Sequence, residues 1–308
     1  MYDIIIIGGG PAGLTAGLYS TRARLKTLLI ESYTVPSQAV ITASIENYPG
    51  FPEGIGGFEL IDKFKKQAEN FGLEFSVGNV QSIAKDIKGW QVAVEDKIYN
   101  CLSLIIASGA QPKELEVNGE AKFRGRGVSY CATCDGALFR NKDIVVVGGG
   151  DTAVEEALFL TRFGKKVTLI HRRDNLRATK ILQERALAHE KIDFVWSSQV
   201  IEILGNENVE AVKIQNIKTQ RYSELHCDGV FIFVGLIPNT GFLKGIIELD
   251  ETGYIMTDDN MKTSSDGIFA CGDCRKKSLR QVITACGDGA TAGFSAQKYI
   301  EELNPNNA

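Results

Sequence analysis

The sequence predicts an α/β protein built from two Rossmann-like, three-layer ββα dinucleotide-binding domains, one inserted into the other. A short apolar strand, a glycine-rich turn and a helix follow one another twice, and the two turns open at Gly8 and at Gly148. The chain also has 308 residues, which is enough for two domains of ordinary size.

Charge and hydropathy exclude several classes of protein. The 34 Lys and Arg against 38 Asp and Glu leave a formal net charge of −4, whereas nucleic-acid-binding proteins are usually basic. The N-terminus resembles the start of a strand and not a signal peptide, and no apolar run approaches the ~18 residues of a membrane span. We therefore expect a cytoplasmic protein with neither nucleic acid nor membrane as a partner.

The first unit consists of a strand over residues 3–7, the turn over residues 8–13, a helix over residues 14–24 and a strand over residues 27–31. Its glycines permit a tight turn and let the backbone approach a pyrophosphate, which the helix N-terminus then binds. The second strand ends at Glu31, whose carboxylate suits ribose hydroxyls and would repel a 2′-phosphate. The predicted dinucleotide contacts are Gly8, Gly10, Pro11, Ala12, Gly13 and Glu31.

The second unit has a strand over residues 143–147, a helix extending to about residue 163 and a strand over residues 167–170. Its second strand leads into a basic segment with no carboxylate, and guanidinium groups pair well with phosphate. This favours NADPH over NADH, although a solvated basic helix start would have the same composition. The predicted contacts are Gly148, Gly150, Asp151, Thr152, Ala153, His171, Arg172, Arg173 and Arg177.

Two dinucleotide sites in one chain suggest one tightly held flavin and one exchanging nicotinamide. Gly272 and Asp273 follow a late buried strand, where a carboxylate can bind the ribityl chain of FAD. Arg280, Gln281 and Val282 then open the last helix. Proline and glycine breaks near residues 111–113 and 238–241 indicate the crossings between domains.

The predicted domains are therefore an FAD-binding domain in two parts and an NADPH-binding domain inserted between them. The FAD-binding domain takes residues 1–112 and 241–308, and the inserted domain takes residues 113–240. Between the two glycine turns, residues 90–99 alternate as antiparallel β-structure does.

A Cys-x-x-Cys pair, Cys131 and Cys134, precedes the second glycine turn and is followed by Asp135. This spacing puts both sulfurs within disulfide range, and such motifs typically have low thiolate pKa values. Asp135 can act as a general acid or base if it is sufficiently buried. The alternatives are zinc ligation, which would need a second pair ~15–20 residues away, and inert thiols. No metal is predicted.

The other cysteines and histidines indicate structural roles. Cys271 and Cys274 form a second pair, but the aspartate between them already has a predicted flavin contact, and both can be small strand residues. We expect the remaining members of this group to be buried or on the surface without catalytic roles; they are Cys101, Cys227, Cys286, His189 and His226.

Together these residues resemble the low-molecular-weight thioredoxin reductases over essentially the whole chain. The most specific match is the segment over residues 127–136, which contains the Tyr-Cys-Ala-Thr-Cys-Asp string, and residues 45–51 also match. The resemblance adds Gln38, Asn47 and Gly109 to the predicted FAD contacts. The chain departs from the family's Gly-Gly-Gln beside the flavin, where it reads Pro36-Ser37-Gln38, so the backbone path there does not carry over.

The resemblance implies electron flow from NADPH through FAD to the disulfide, and then to thioredoxin. It places Cys134 nearest the flavin, makes Cys131 the thiol that attacks thioredoxin and gives Asp135 the proton transfers. It also implies a homodimer and a rotation of the inserted domain hinged near Pro112 and Pro238. The alternatives are a ferredoxin–NADP reductase or oxidase of similar fold, the flavin subunit of a peroxide-reducing system, and a flavin-bearing redox sensor.

Overall fold

The computed structural model describes residues 1–32, 37–42 and 45–303. These residues divide into two compact units. The first comprises Met1–Gln111 and Ile237–Ala308, and the second comprises Pro112–Leu236. The second unit is thus an insertion in the first, and the crossings predicted after residues 112 and 240 compare with these boundaries.

The helices and strands follow in chain order. Before the insertion come β1 (Tyr2–Ile7), α1 (Pro11–Arg22), β2 (Thr27–Glu31), α2 (Gly57–Glu69), β3 (Glu74–Val77), β4 (Val80–Asp86), β5 (Gly89–Val94), β6 (Lys97–Ile106) and β7 (Ala110–Pro112). The insertion contains α3 (Glu120–Phe123), β8 (Val128–Ser129), α4 (Ala132–Asp135), β9 (Asp143–Gly148), α5 (Asp151–Leu160), β10 (Lys166–Ile170), α6 (Lys180–Leu187), β11 (Ile192–Val195), β12 (Ser198–Gly205), β13 (Val209–Asn216), β14 (Tyr222–His226) and β15 (Gly229–Phe233). After it come β16 (Leu236–Pro238), β17 (Ile268–Ala270) and α7 (Val282–Leu303).

The sheet of the first unit has the order β3-β2-β1-β6-β5-β4, with β17 paired to β6. Its parallel core strands are unbroken apolar runs because both faces are covered. On one face Ile4 and Ile6 join the core with α1 and α7, and on the other Ile5 packs with the β4–β6 meander. The antiparallel pairing of β5 with β6 confirms the alternation predicted for residues 90–99.

The second unit has a parallel sheet with the order β11-β10-β9-β15-β8 and a separate antiparallel sheet, β12-β13-β14. Helix α5 covers one face of the parallel sheet, where Ala153, Ala157 and Leu160 are fully buried. Val212 and Val230 belong to the core on the other face. Both units therefore have the strand, glycine turn and helix sequence of a dinucleotide-binding fold.

Three helix boundaries differ from the prediction. Helix α1 begins at Pro11 and not at residue 14, since a proline is compatible with the first helical position, and it ends at Arg22. Arg24 cannot continue that helix because its φ is +64°. Helix α5 ends at Leu160, and α7 begins at Val282, so Arg280 and Gln281 precede it. No helix among the described residues is long and apolar enough to cross a membrane.

Candidate nucleotide and redox sites

The first glycine turn has the backbone shape of a pyrophosphate cradle. Gly8 has φ +119°, and a Cβ there would overlap the carbonyl group of Ala107 directly after β6. A Cβ on Gly13 would overlap the carbonyl oxygen of Gly8. Gly10 is extended and makes no side-chain cap, which leaves the N–H groups of the first turn of α1 available to an anion. The other predicted contacts in that turn are Pro11 and Ala12.

Glu31 lies at the end of β2, beside this turn. A Cβ on Gly9 would come within 2.6 Å of the Glu31 carboxyl carbon, so the turn and the carboxylate are in contact. Burial raises the pKa of Glu31, and the nearby Lys65 opposes that shift. The arrangement fits an adenosine ribose held next to the pyrophosphate.

Asp273 brings the end of β17 to the same turn. Gly272 has φ +76°, and a Cβ on it would lie 2.8 Å from the Cβ of Ala12. The Oδ1 atom of Asp273 is buried with no hydrogen-bond partner among the described residues. Burial raises the pKa of Asp273, while Lys277 and Arg280 lower it. A buried acceptor without a donor costs free energy, and a flavin ribityl hydroxyl would satisfy it.

Two more predicted flavin contacts are joined directly, because Asn47 Nδ2 donates to Gln281 Oε1 at 3.0 Å. The guanidinium of Arg280 stacks on Tyr254 at 4.2 Å from the ring centroid. The Arg280 Nε is buried without a hydrogen-bond partner in the described part of the chain. The structure places Val282 at the start of α7 beside them.

The loop after β6 depends on a residue that sequence reasoning missed. Asn239 donates its backbone N–H to the Gly109 carbonyl at 3.0 Å, and its Nδ2 donates to the Ser108 carbonyl at 3.0 Å. Gly109 has φ +65° and open space where a Cβ would be. Sequence analysis had placed Asn239 only in a polar break, and its distance in sequence from Gly109 left no local signal.

The segment that departs from the family pattern is only partly described. Pro36 lies outside the described residues. A Cβ on Gly10 would come 3.2 Å from Ser37 Oγ, so this loop approaches the first glycine turn. The carbonyl of Gln38 accepts a hydrogen bond from Thr42 Oγ1 at 3.0 Å, which holds the start of the segment.

The second glycine turn is arranged around a histidine. A Cβ on Gly149 would overlap the His171 imidazole, and Gly148 has φ +155°. Gly150 has open space beside it, as a site for a ligand requires. Asp151 begins α5, and its Oδ1 accepts the Thr179 N–H at 2.6 Å. The other predicted contacts are Thr152, which is exposed, and Ala153, which is buried.

Three exposed guanidinium groups surround His171. Burial lowers the pKa of His171, and the charges of Arg177, Arg173 and Arg172 lower it further. The Arg177 N–H donates to the Gly149 carbonyl at 2.7 Å, which ties the basic segment to the turn. None of the three arginines has a side-chain partner within the described ranges, and the buried His171 Nε2 has none there either. This site is therefore suited to a phosphate beyond the pyrophosphate.

Cys131 and Cys134 form a disulfide, which confirms the predicted pair. Cys131 caps the short helix α4, and the Cys134 N–H donates to Cys131 Sγ at 3.1 Å. Such a donor would stabilise a thiolate on Cys131 after reduction. Cys134 is exposed and Cys131 is half-buried.

Asp135 is linked to Cys131 through Ser129, which sequence reasoning missed. Ser129 Oγ donates to Asp135 Oδ2 at 2.7 Å and accepts the Cys131 N–H at 3.1 Å. Asp135 is half-buried. The carboxylate is thus held close to the disulfide by a hydroxyl two residues before it.

A second missed group anchors the residue before Cys131. The buried Glu120 accepts the N–H groups of Leu115 and Glu116 at 2.8 and 2.6 Å, and the Tyr130 hydroxyl at 2.6 Å. The Arg124 guanidinium stacks over the Tyr130 ring at 4.7 Å. Burial first and then Glu120 raise the pKa of Tyr130, so its hydroxyl stays a donor.

The remaining cysteines are free and buried, as predicted. Burial raises the pKa of Cys274 to about 11 and that of Cys271 well above its usual value, so both stay protonated. His189 Nδ1 accepts the Lys191 N–H at 3.1 Å, and His226 is exposed. No group of three or more His, Cys, Asp or Glu residues in the described part of the chain could hold a metal ion.

A buried carboxyl on α5 gives a testable pH dependence. Burial, and secondarily the charge of Glu155, raise the pKa of Glu156 to about 7, and its Oε2 has no hydrogen-bond partner among the residues described. Because the native pKa exceeds the unfolded one, the native state binds more protons between them. We expect the stability of the second unit to fall as pH rises from about 4.5 to about 7, by up to about 3 kcal/mol in total.

Glu156→Gln should remove this decline and make the unit more stable than the parent at pH 8 but not at pH 4.5. The measurement is urea unfolding followed by Trp196 fluorescence in a Trp90→Phe background, where only the second unit reports. Glu184→Gln, an exposed carboxylate on α6, is the control. A Glu156→Gln protein with the parent's pH slope would contradict this assignment.

Residues 2–289 match the family model described as pyridine nucleotide-disulphide oxidoreductase. The chain belongs to this family. Its members use a flavin and a pyridine nucleotide, which agrees with the two glycine turns and the disulfide. Among curated relatives, the thioredoxin reductase of Listeria innocua is 50% identical over 98% of this chain and 95% of that protein. That of Bacillus subtilis is 49% identical over 98% and 96%.

Solved structures of this oxidoreductase family agree in fold. Lactococcus lactis thioredoxin reductase has a TM-score of 0.96 and 48% identity, covering 98% of this chain and all of that one (100%). T. acidophilum thioredoxin reductase has a TM-score of 0.91 and 33% identity, covering 96% and 98%. A Clostridium acetobutylicum protein titled ferredoxin-flavin thioredoxin reductase is 31% identical with a TM-score of 0.54, covering 99% of both. Relatives of this fold therefore differ in the electron donor that their titles name.

Proposed function

We propose that the chain is an NADPH-dependent thioredoxin-disulfide reductase that passes electrons from NADPH through FAD and the Cys131/Cys134 dithiol to oxidised thioredoxin. The observation that carries this is the Cys131–Cys134 disulfide on the unit whose glycine turn faces three unpaired arginines. Thioredoxin reductases among the relatives support the same protein substrate. The proposal includes a cytoplasmic homodimer, as the family resemblance implies.

The residues present fit both cofactors. FAD would take the first unit, where Asp273 offers a buried acceptor and the start of α1 offers free N–H groups. NADPH would take the second, with its 2′-phosphate on the arginines around His171. When bound, FAD carries two electrons from the nicotinamide to the disulfide. The other FAD contacts are Gly8, Gly10, Pro11, Ala12, Gly13, Glu31, Gln38, Asn47, Gly109, Gly272, Arg280, Gln281 and Val282, and those of NADPH are Gly148, Gly150, Asp151, Thr152, Ala153, Arg172, Arg173 and Arg177.

The dithiol then performs an exchange. Two electrons break the Cys131–Cys134 bond, and Asp135, held by Ser129, supplies or accepts the proton that one sulfur needs. The Cys131 thiolate attacks the thioredoxin disulfide, one thioredoxin sulfur leaves as a thiolate and a mixed disulfide forms. Cys134 then attacks Cys131 Sγ, which restores the enzyme disulfide and releases reduced thioredoxin.

Anaerobic titration of the flavin-loaded chain tests this assignment. NADPH should bleach the flavin absorbance near neutral pH, and oxidised thioredoxin should restore the colour in proportion to its disulfide. Bleaching by NADH alone would contradict the choice of nucleotide. A flavin that stays reduced with thioredoxin but is reoxidised by an added redox protein would contradict the choice of substrate.

The arginines give a prediction about nucleotide choice. Arg172→Ala combined with Arg173→Ala should raise the KM for NADPH roughly 10- to 100-fold, since about two charge-assisted bonds to the 2′-phosphate are lost. The KM for NADH should change less than about twofold, because NADH has no such phosphate. Steady-state kinetics with both nucleotides measure this, with Arg221→Ala on the same unit as the exposed control. An equal loss with NADH would remove the basis for assigning NADPH.

A further inference from the structure

Asp288 is a buried carboxylate on α7 that belongs to none of the predicted contacts. Its Oδ2 accepts the Gly272 N–H at 3.1 Å and pairs with Lys277 Nζ at 2.7 Å, and its Oδ1 pairs with Arg275 Nη1 at 3.2 Å. The side chains of Asp288, Lys277 and Arg275 are only 12%, 9% and 14% exposed. One carboxylate therefore holds three donors away from solvent.

All three donors lie on the short segment that follows β17 and carries Asp273. Gly272 begins this turn with φ +76°, and Arg275 ends it, with its Nε donating to Thr257 Oγ1 at 2.9 Å. Asp288 thus grips the turn at its first residue and again beyond it. The position of Asp273 between them is fixed from α7.

The same stretch of α7 also contacts the first glycine turn. A Cβ on Gly289 would overlap the Ala12 carbonyl, and one on Gly272 would lie 2.8 Å from the Ala12 Cβ. Asp288 is therefore at the junction of three elements that together would hold the flavin nucleotide: the turn after β17, the start of α1 and the start of α7.

The charges at this junction favour an ionised Asp273. Burial alone would favour the neutral acid, and Lys277 is the first of the two cations that oppose it. Lys277 in turn pairs with Asp288, which keeps it in place. An ionised carboxylate with a free buried Oδ1 is a strong acceptor for a hydroxyl.

We propose that Asp288 is a positioning residue for the flavin, holding the Gly272–Asp273 turn and Lys277 so that Asp273 can accept a ribityl hydroxyl. The proposal rests on the proposed function, because it requires FAD in the first unit. A purely structural role is the alternative, although isolated buried ion pairs contribute little net stability.

The test compares Asp288→Asn, which keeps an oxygen for the Gly272 N–H, with Asp288→Ala, which removes it. FAD-free chains are titrated with FAD, and the quenching of FAD fluorescence gives the Kd. We expect affinity to fall about tenfold in Asp288→Asn and about a hundredfold in Asp288→Ala, as for one and two lost charge-assisted bonds. Glu301→Gln, on the same helix but outside this cluster, should stay within about twofold of the parent.

The pH dependence of FAD binding separates positioning from mere stability. Affinity should fall at acid pH as Asp273 is protonated. Asp288 raises the pKa of Asp273, so Asp288→Asn should move that acid limb to lower pH, which a structural defect would not do. The charged or titratable groups around Asp273 are Lys277, Arg280, Asp288, Tyr254 and Cys274.

The outcomes are distinct. Parent-like affinity and an unmoved acid limb in Asp288→Asn would overturn the proposal, as would an equal loss in Glu301→Gln. If Asp288→Ala does not fold, Asp288→Asn and Lys277→Met, which should also weaken FAD binding, decide the question. A parent chain that binds no FAD would overturn the proposed function itself.

Discussion

Replacing Cys134 with serine is expected to lower thioredoxin reduction by at least about a thousandfold, as loss of a catalytic nucleophile does. Without Cys134 the chain cannot form the disulfide that accepts electrons, and it cannot resolve a mixed disulfide on Cys131. Reduction of the flavin by NADPH should remain, because no cysteine takes part in it. Stopped-flow absorbance measures that half-reaction, and insulin precipitation in the presence of thioredoxin measures turnover.

The matched control is Cys227→Ala, since Cys227 is a free buried cysteine of the same unit and is 5% exposed. It should retain turnover within about threefold, as substitutions away from a site do. Alkylation gives an independent reading: NADPH treatment should expose two reactive thiols per parent chain and none of the five buried ones. Substantial turnover in Cys134→Ser would show that electrons leave by another route.

Glu120→Ala is expected to destabilise the second unit by about 3–5 kcal/mol, which is large for a single substitution. The carboxylate accepts two backbone N–H groups and the Tyr130 hydroxyl, and its loss leaves these donors buried without an acceptor. Urea unfolding followed by Trp196 fluorescence, again in the Trp90→Phe background, measures the free energy. A loss below about 1 kcal/mol would show that the network is dispensable.

Two variants show where this stability resides. Tyr130→Phe removes one of the three bonds and should cost about 1–2 kcal/mol. Glu114→Ala removes an exposed carboxylate that pairs with Arg124 at 2.7 Å, and should cost less than about 1 kcal/mol. Tyr130 precedes Cys131, so Tyr130→Phe should also slow thioredoxin reduction more than it slows flavin reduction.

Local patterns predicted much of the fold. The strand over residues 27–31 coincides with β2, and the runs over residues 143–147 and 167–170 coincide with β9 and β10 to within a residue. Parallel strands buried on both faces leave unbroken apolar runs, which are visible without a structure. Helix ends were less well predicted, because the first turn of α1 starts with Pro11 and its end depends on the φ of Arg24.

The candidate site shows the same division. Glycine turns, the Cys-x-x-Cys pair and the arginines could be found by their spacing, because each acts through residues close in sequence. Ser129, Glu120 and Asn239 could not, since their partners are identified only by folding.

The sequence by itself determined that this chain has two nucleotide turns, a redox-active cysteine pair and a basic segment suited to a 2′-phosphate. Each of these follows from short-range rules of backbone geometry and charge. Only the tertiary structure decided that Asp288 meets Gly272 and Lys277, and that Asn239 closes the loop at Gly109. The physical reason is that long-range contacts depend on how α7 and the chain after the insertion pack on the sheet, and no local periodicity encodes that packing.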